Sequence, residues 1–222
     1  VKRGEVEKSI NELSMQRKAD IVIIGNSGKN LLTRILIGSN TLKILRSSKL
    51  PVLNVPGVID GNKYKINKIL VPFNIAEDNT ESLDYAINLA LKTDSSITIV
   101  YVLSVANNIM DFPQEVLDQI IRGITKSLEE TVLSSKENLK KLHHDKGNDK
   151  YLASIDNLII RRKIIVGISQ ATKILDYAKR NKFDLIVMNR HGKGEIESFF
   201  LGSVTEEVVR NSKCPVISIK PE

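Results

Sequence analysis

A chain of 222 residues suffices for one large domain or two small ones, and its 41% hydrophobic and 27% charged residues are ordinary for a globular fold. Apolar runs such as Ile21-Val-Ile-Ile24 fall far short of the ~20 residues a membrane span needs, the charged first residues carry no signal-peptide h-region, and Cys214, the one cysteine, has no internal disulfide partner; the expected location is the cytoplasm. Lys and Arg outnumber Asp and Glu by 33 to 26, but the basic residues are spread along the chain with few aromatics among them, so a solvated surface is expected rather than a nucleic-acid interface.

In chain order, Ile21–Ile24 is an apolar strand that leads into Gly25-Asn-Ser-Gly28; nine residues later Gly38-Ser39 opens a helix, and Pro51–Val55 forms another strand. Ile69–Phe73 is a short buried strand followed by a polar turn. Leu83, Ala86, Ile87, Ala90 and Leu91 fall on one face of a helix. Ile97–Leu103 is β-branched and aromatic, a second strand. After Pro113 an amphipathic helix runs to about Leu142, with Val116, Ile120, Ile124 and Leu128 on one stripe. Residues 143–157 are polar and are expected to form a loop. Leu158–Val166 is the third strand, Ala171 to Ala178 mark a helix, and Asp184–Met188 is the fourth strand. A glycine-containing loop, a helix from about Ser203 and the strand Pro215–Ile219 complete the chain. Strands alternating with helices imply βαβ units and a mainly parallel sheet covered on both faces. In such sheets ligands bind beyond the carboxyl ends of the strands, where the strand order reverses.

The sequence repeats. A shift of 164 positions lays Lys18–Pro56 on Lys182–Lys220 without a gap. Asp20 meets Asp184, Gly28 meets Gly192, Gly38-Ser39 meets Gly202-Ser203, Arg46 meets Arg210 and Pro51-Val52 meets Pro215-Val216. The second copy has a full front half before it, whereas only 17 residues precede Lys18. The expected organisation is therefore a partial domain over 1–57 and a complete one over 64–222, as in a tandem protein whose first copy is N-terminally truncated.

The strand-to-helix loops carry the candidate chemistry. Gly25-Asn-Ser-Gly28 before Gly38-Ser39, and Asn189-Arg-His-Gly192 before Gly202-Ser203, share one spacing. Glycine allows close backbone approach and φ > 0. Successive N–H groups in such a turn make an anion nest, and the following helix adds its unpaired N–H groups and positive dipole end. Arg190, His191 and Lys193 are candidate cationic donors for a di- or triphosphate. The residues alone fit equally a tight connection whose glycines serve geometry only.

The combination Gly-x2-Gly-x9-Gly-Ser, then Cys214-Pro-Val, with Ile69-Leu-Val-Pro-Phe-Asn74 and Ala90-Leu at the front, resembles the universal stress protein family over nearly the whole chain. The resemblance implies an adenine-nucleotide α-hydrolase-like α/β fold, a five-stranded parallel sheet in order 3-2-1-4-5 with helices on both faces. It implies ATP or AMP, with or without Mg, as the ligand of a stress-response module that is not a dedicated enzyme. It also implies a pseudo-dimer or homodimer paired through the last strands. Carried over, Pro72, Phe73 and Asn74 line the adenosine site and Val102 offers backbone to adenine. Met188, Asn189, His191, Gly192, Gly202, Ser203 and Val204 hold ribose and phosphates. In the first copy Gly25, Gly28, Gly38 and Ser39 match the phosphate half only. Two residues depart from the family pattern: Asn74 stands where Asp is usual, and Asn189 replaces the first loop glycine.

Other residues have plainer readings. Ser203-Val-Thr-Glu206 fits a capping box, with Ser203 as N-cap. His143 and His144 lack metal-site spacing. Cys214 matches Leu50 in the repeat, which points to a small buried hydrophobe.

Overall fold

The computed structural model describes residues 5–25, 38–57, 64–75, 80–104, 113–144, 149–190 and 201–220. In chain order these form α1 (Val6–Gln16), β1 (Val22–Gly25), α2 (Ser39–Ser47), β2 (Val52–Val55), β3 (Lys68–Phe73), α3 (Thr80–Thr93), β4 (Ser96–Ser104), α4 (Gln114–His144), α5 (Asp149–Asn157), β5 (Ile160–Gly167), α6 (Gln170–Arg180), β6 (Leu185–Asn189), α7 (Ser203–Asn211) and β7 (Val216–Ile219). The strands join in one sheet of seven, in the order β1-β2-β7-β6-β3-β4-β5. Within it β7-β6-β3-β4-β5 is the expected 3-2-1-4-5 arrangement, all parallel. The count rises from five to seven because β1 and β2 of the first repeat join the same sheet, β2 running antiparallel to β7 through Val52↔Ser218, Leu53↔Ile217 and Asn54↔Val216.

Side-chain alternation along the strands builds two cores. Leu70, Val100, Ile186, Met188 and Val216 face one side, where they meet Val22, Ile44, Leu45, Val52, Ala171, Ile174, Val208 and Val209. Ile69, Val71, Phe73, Ile97, Ile99, Leu185 and Val187 face the other, against Leu83, Ala86, Ile87, Leu128 and Ile155. The first core is shared by both copies, so the partial copy is packed into the molecule and not merely tethered to it.

The repeat reaches further back than the sequence match. The same shift that aligns the loops lays α1 on α6, residue for residue at both ends. The turns after them are alike too: Lys18 and Lys182 both sit at positive φ, 49° and 54°. Residues 149–157, expected as loop, are the helix α5. Its polar sequence hides a single anchor, Ile155, which is fully buried. The α4 stripe is buried only in part, since Ile124 and Leu128 lie in the core while Val116 and Ile120 are exposed. At the far edge β5 exposes Arg161, Arg162 and Lys163, charges that discourage further strand addition.

Candidate functional site

The strand order reverses between β3 and β6, and there the carboxyl ends part. The β3–β6 register covers Ile69↔Leu185 and Leu70↔Ile186, whereas β3 stays paired with β4 to Phe73↔Tyr101. A crevice between strand ends at this position is where doubly wound sheets place ligands. On one side stand Pro72 and Phe73, both buried, with Asn74 half-buried just beyond. Strand β4 runs past the last β3 partner through Val102, Leu103 and Ser104, which remain paired to β5. Val102 and Met188 direct their side chains into the core, so what they offer the crevice is backbone.

On the other side β6 ends at Asn189, buried and paired with Ile219, and α7 begins. Its N-cap is Gly202, at φ −57° and ψ 143°, with no side-chain capping bond. The expected capping box is therefore corrected: Ser203 is the first helical residue and is exposed, and the Glu206 carboxylate points elsewhere. Arg46 reaches it at 3.0 Å and Arg210 at 2.7 Å, and these contacts, the Arg210 hydrogen bond foremost, hold its pKa below the usual carboxylate value. The N–H groups at the start of α7 thus face no competing carboxylate from Glu206. Thr205, unnoticed in the sequence, ties the helix to the strand by donating its hydroxyl to the Asn189 carbonyl at 2.9 Å.

The first copy repeats this geometry. Gly38 caps α2 at φ −60° and ψ 144°, again without a side-chain capping bond. Neither cap glycine uses positive φ, so the expected conformational role is not needed at either. A Cβ on Gly38 would meet nothing within 4 Å among the described residues. Gly25 closes β1 and Ser39 opens α2, both exposed. Gly28, His191, Gly192 and Lys193 lie outside the described residues.

Arg190 overturns its expected role. Its side chain is 1% exposed and turns away from the crevice, donating to the backbone carbonyls of Ser48 and Leu50 in the first copy. Burial lowers its pKa to about 10. The sequence held no sign of this, because the matching residue in the repeat is Asn26. Cys214 is half-buried, and burial raises its thiol pKa. His143 packs against Tyr151 with ring centroids 4.4 Å apart and the planes tilted by 50°.

Comparison with known proteins fits this architecture. The profile described as the universal stress protein family matches residues 1–56 and 65–220. Universal stress protein MJ0531 of Methanocaldococcus jannaschii is 30% identical over 177 residues, 80% of this chain and 94% of that protein. Universal stress protein YxiE of Bacillus subtilis is 26% identical, over 69% of this chain and 99% of its own. Among solved structures, a universal stress protein from Archaeoglobus fulgidus superimposes with a TM-score of 0.58 at 20% identity, over 96% of this chain and 64% of that one. A protein of unknown function from Pseudomonas aeruginosa, PA1789, gives 0.62 at 15% identity, over 99% of this chain and 69% of that one. At these identities the two structures share the fold with this chain.

Proposed function

The chain belongs to the universal stress protein family, and on that footing we propose that it is an adenine-nucleotide-binding stress-response module that acts by binding rather than turnover. ATP or AMP lies across the β3–β6 crevice. Pro72, Phe73 and Asn74 flank the adenosine, and the Val102 backbone receives adenine. Met188, Asn189, His191, Gly192, Gly202, Ser203 and Val204 hold ribose and phosphates, with Mg accompanying ATP. The observation that carries this reading is the start of α7, which no side chain caps among the described residues and whose nearby carboxylate, Glu206, is occupied by two arginines. Such a helix end is a ready anion site.

The chain divides into a partial unit over 1–57 and a complete one over 64–222. Gly25, Gly28, Gly38 and Ser39 supply only the phosphate half of a second site. The pairing of β2 with β7 within the chain is the pseudo-dimer contact through the last strands. The single cysteine suits the cytoplasm.

Asn189 favours one rival reading, a pairing module without nucleotide affinity, because a buried side chain stands where the motif has glycine. Thermal unfolding with and without ATP separates the two. Nucleotide at about 100 times its Kd adds roughly 2.7 kcal/mol of stability, and Gly202→Asp abolishes the shift. An unshifted wild-type transition at millimolar ATP favours the rival.

A further inference from the structure

Arg190 lies between the two halves of the candidate site and the other copy. Its backbone belongs to the site: its carbonyl accepts the Gly202 N–H at 2.7 Å, and its own N–H donates to Ile219 at 2.8 Å. Its side chain belongs to the interface. The guanidinium reaches the carbonyls of Ser48 and Leu50, at the corner between α2 and β2. That corner is itself fixed, because Ser48 Oγ donates to the Leu50 carbonyl at 3.1 Å and accepts the Leu50 N–H at 3.2 Å. The matching corner of the second copy is built alike, with Ser212 Oγ donating to the Cys214 carbonyl at 2.7 Å.

A buried arginine is an expensive way to satisfy two carbonyls. No carboxylate pairs with it among the described residues, and its Nε has no hydrogen-bond partner. Desolvating a cation against neutral acceptors costs several kcal/mol before any return, and an apolar side chain would avoid that cost. What the arginine provides is length and direction: a rigid two-pronged donor joining one residue of the loop to one corner of the other copy.

We propose that Arg190 is a positioning residue that couples the two copies, so that the first copy's α2–β2 corner sets the N-terminus of α7 for ligand. The consequence for nucleotide rests on the proposed function; the mechanical link does not. Coupling is reciprocal. If the corner aligns the Ser203 and Val204 N–H groups for phosphate, phosphate bound there tightens the pairing of the copies. The sequence writes the link once, since Asn26 holds the matching place. The first copy then serves as a support for the nucleotide site of the second.

The test uses amide hydrogen exchange on the full chain, with calorimetric ATP titration beside it. Arg190→Met severs the link inside the site, and Ser48→Ala loosens the corner from the first copy. The Ser48 change is mild and keeps the chain folded where Arg190→Met fails to fold. Ser218→Ala removes a different contact between the copies, the bond from its hydroxyl to the Val52 carbonyl, and serves as the control. Exchange at Gly202, Ser203 and Val204 rises at least fivefold in Ser48→Ala and Arg190→Met without nucleotide and stays at the wild-type rate in Ser218→Ala. ATP affinity falls about tenfold in the first two. Unchanged exchange at Gly202 in Ser48→Ala overturns the coupling, as does an equal rise in Ser218→Ala, which makes the effect a general loosening. A wild-type chain that takes up no ATP removes the nucleotide reading alone, and the exchange rates still decide the link.

Discussion

Asp184 accepts the backbone N–H groups of Asn67 and Lys68, each at 2.9 Å, and so joins the start of β3 to the start of β6 below the crevice. Asp184→Ala exchanges both bonds for bonds to water, since Asn67 and Lys68 are exposed, and is expected to cost about 0.5–1.5 kcal/mol in urea unfolding. Glu206 carries the pH dependence. Its folded pKa lies below the unfolded value, through Arg210 first and Arg46 second. Its stabilisation is therefore present above the ordinary carboxylate pKa and is lost as pH falls through the lowered folded value. Exposed pairs of this kind are worth about 0.2–1 kcal/mol. Glu206→Gln is expected to lose that much at pH 7 and nothing further on acidification to pH 3, while the wild type loses it over that range. At Cys214 burial raises the thiol pKa, so alkylation at pH 7.5 runs slower than for a free thiol. That behaviour was legible in the sequence, because the repeat sets Leu50 at the same place. The burial of Arg190 was not, because a loop cation next to a glycine reads the same whichever way its side chain turns.

The strands were legible because all but the charge-interrupted β5 are short apolar runs bounded by turns, and their order followed from the family resemblance. The helix α5 escaped because its stability comes from tertiary contacts and not from its own pattern. Ile155 is fully buried, and Tyr151 donates its hydroxyl to the Asn88 side chain on α3. Ile155→Ala is expected to cost about 2–5 kcal/mol and to raise amide exchange along Asp149–Asn157 before any other element opens. Likewise α1 shows no sequence identity strong enough to extend the repeat, yet its ends coincide with those of α6. Geometry is kept there because α1 packs on α2 as one layer, with Asn11 donating to Ser47 Oγ at 2.8 Å. The helix starts at Gly38 and Gly202 were placed correctly, but their glycines were assigned a backbone freedom that negative φ values do not require.

Across the molecule, the antiparallel β2–β7 seam joins the strands of the two repeats into a continuous sheet. Val52, Ile44 and Leu45 of the first copy share a core with Val208, Val209 and Val216 of the second. The two copies are therefore expected to unfold together, in a single calorimetric transition with equal calorimetric and van't Hoff enthalpies. The sequence displayed the duplication, but the merging of the two copies into one core depends on contacts far apart along the chain.

The nucleotide site is most directly tested by backbone amide chemical shifts during titration with Mg-ATP. Saturable changes are expected at Phe73, Asn74, Val102 and Gly202 to Val204, all lost in Gly202→Asp. Changes that fail to saturate, or that fall instead on the exposed lysines at Lys179, Lys182 and Lys213, contradict it.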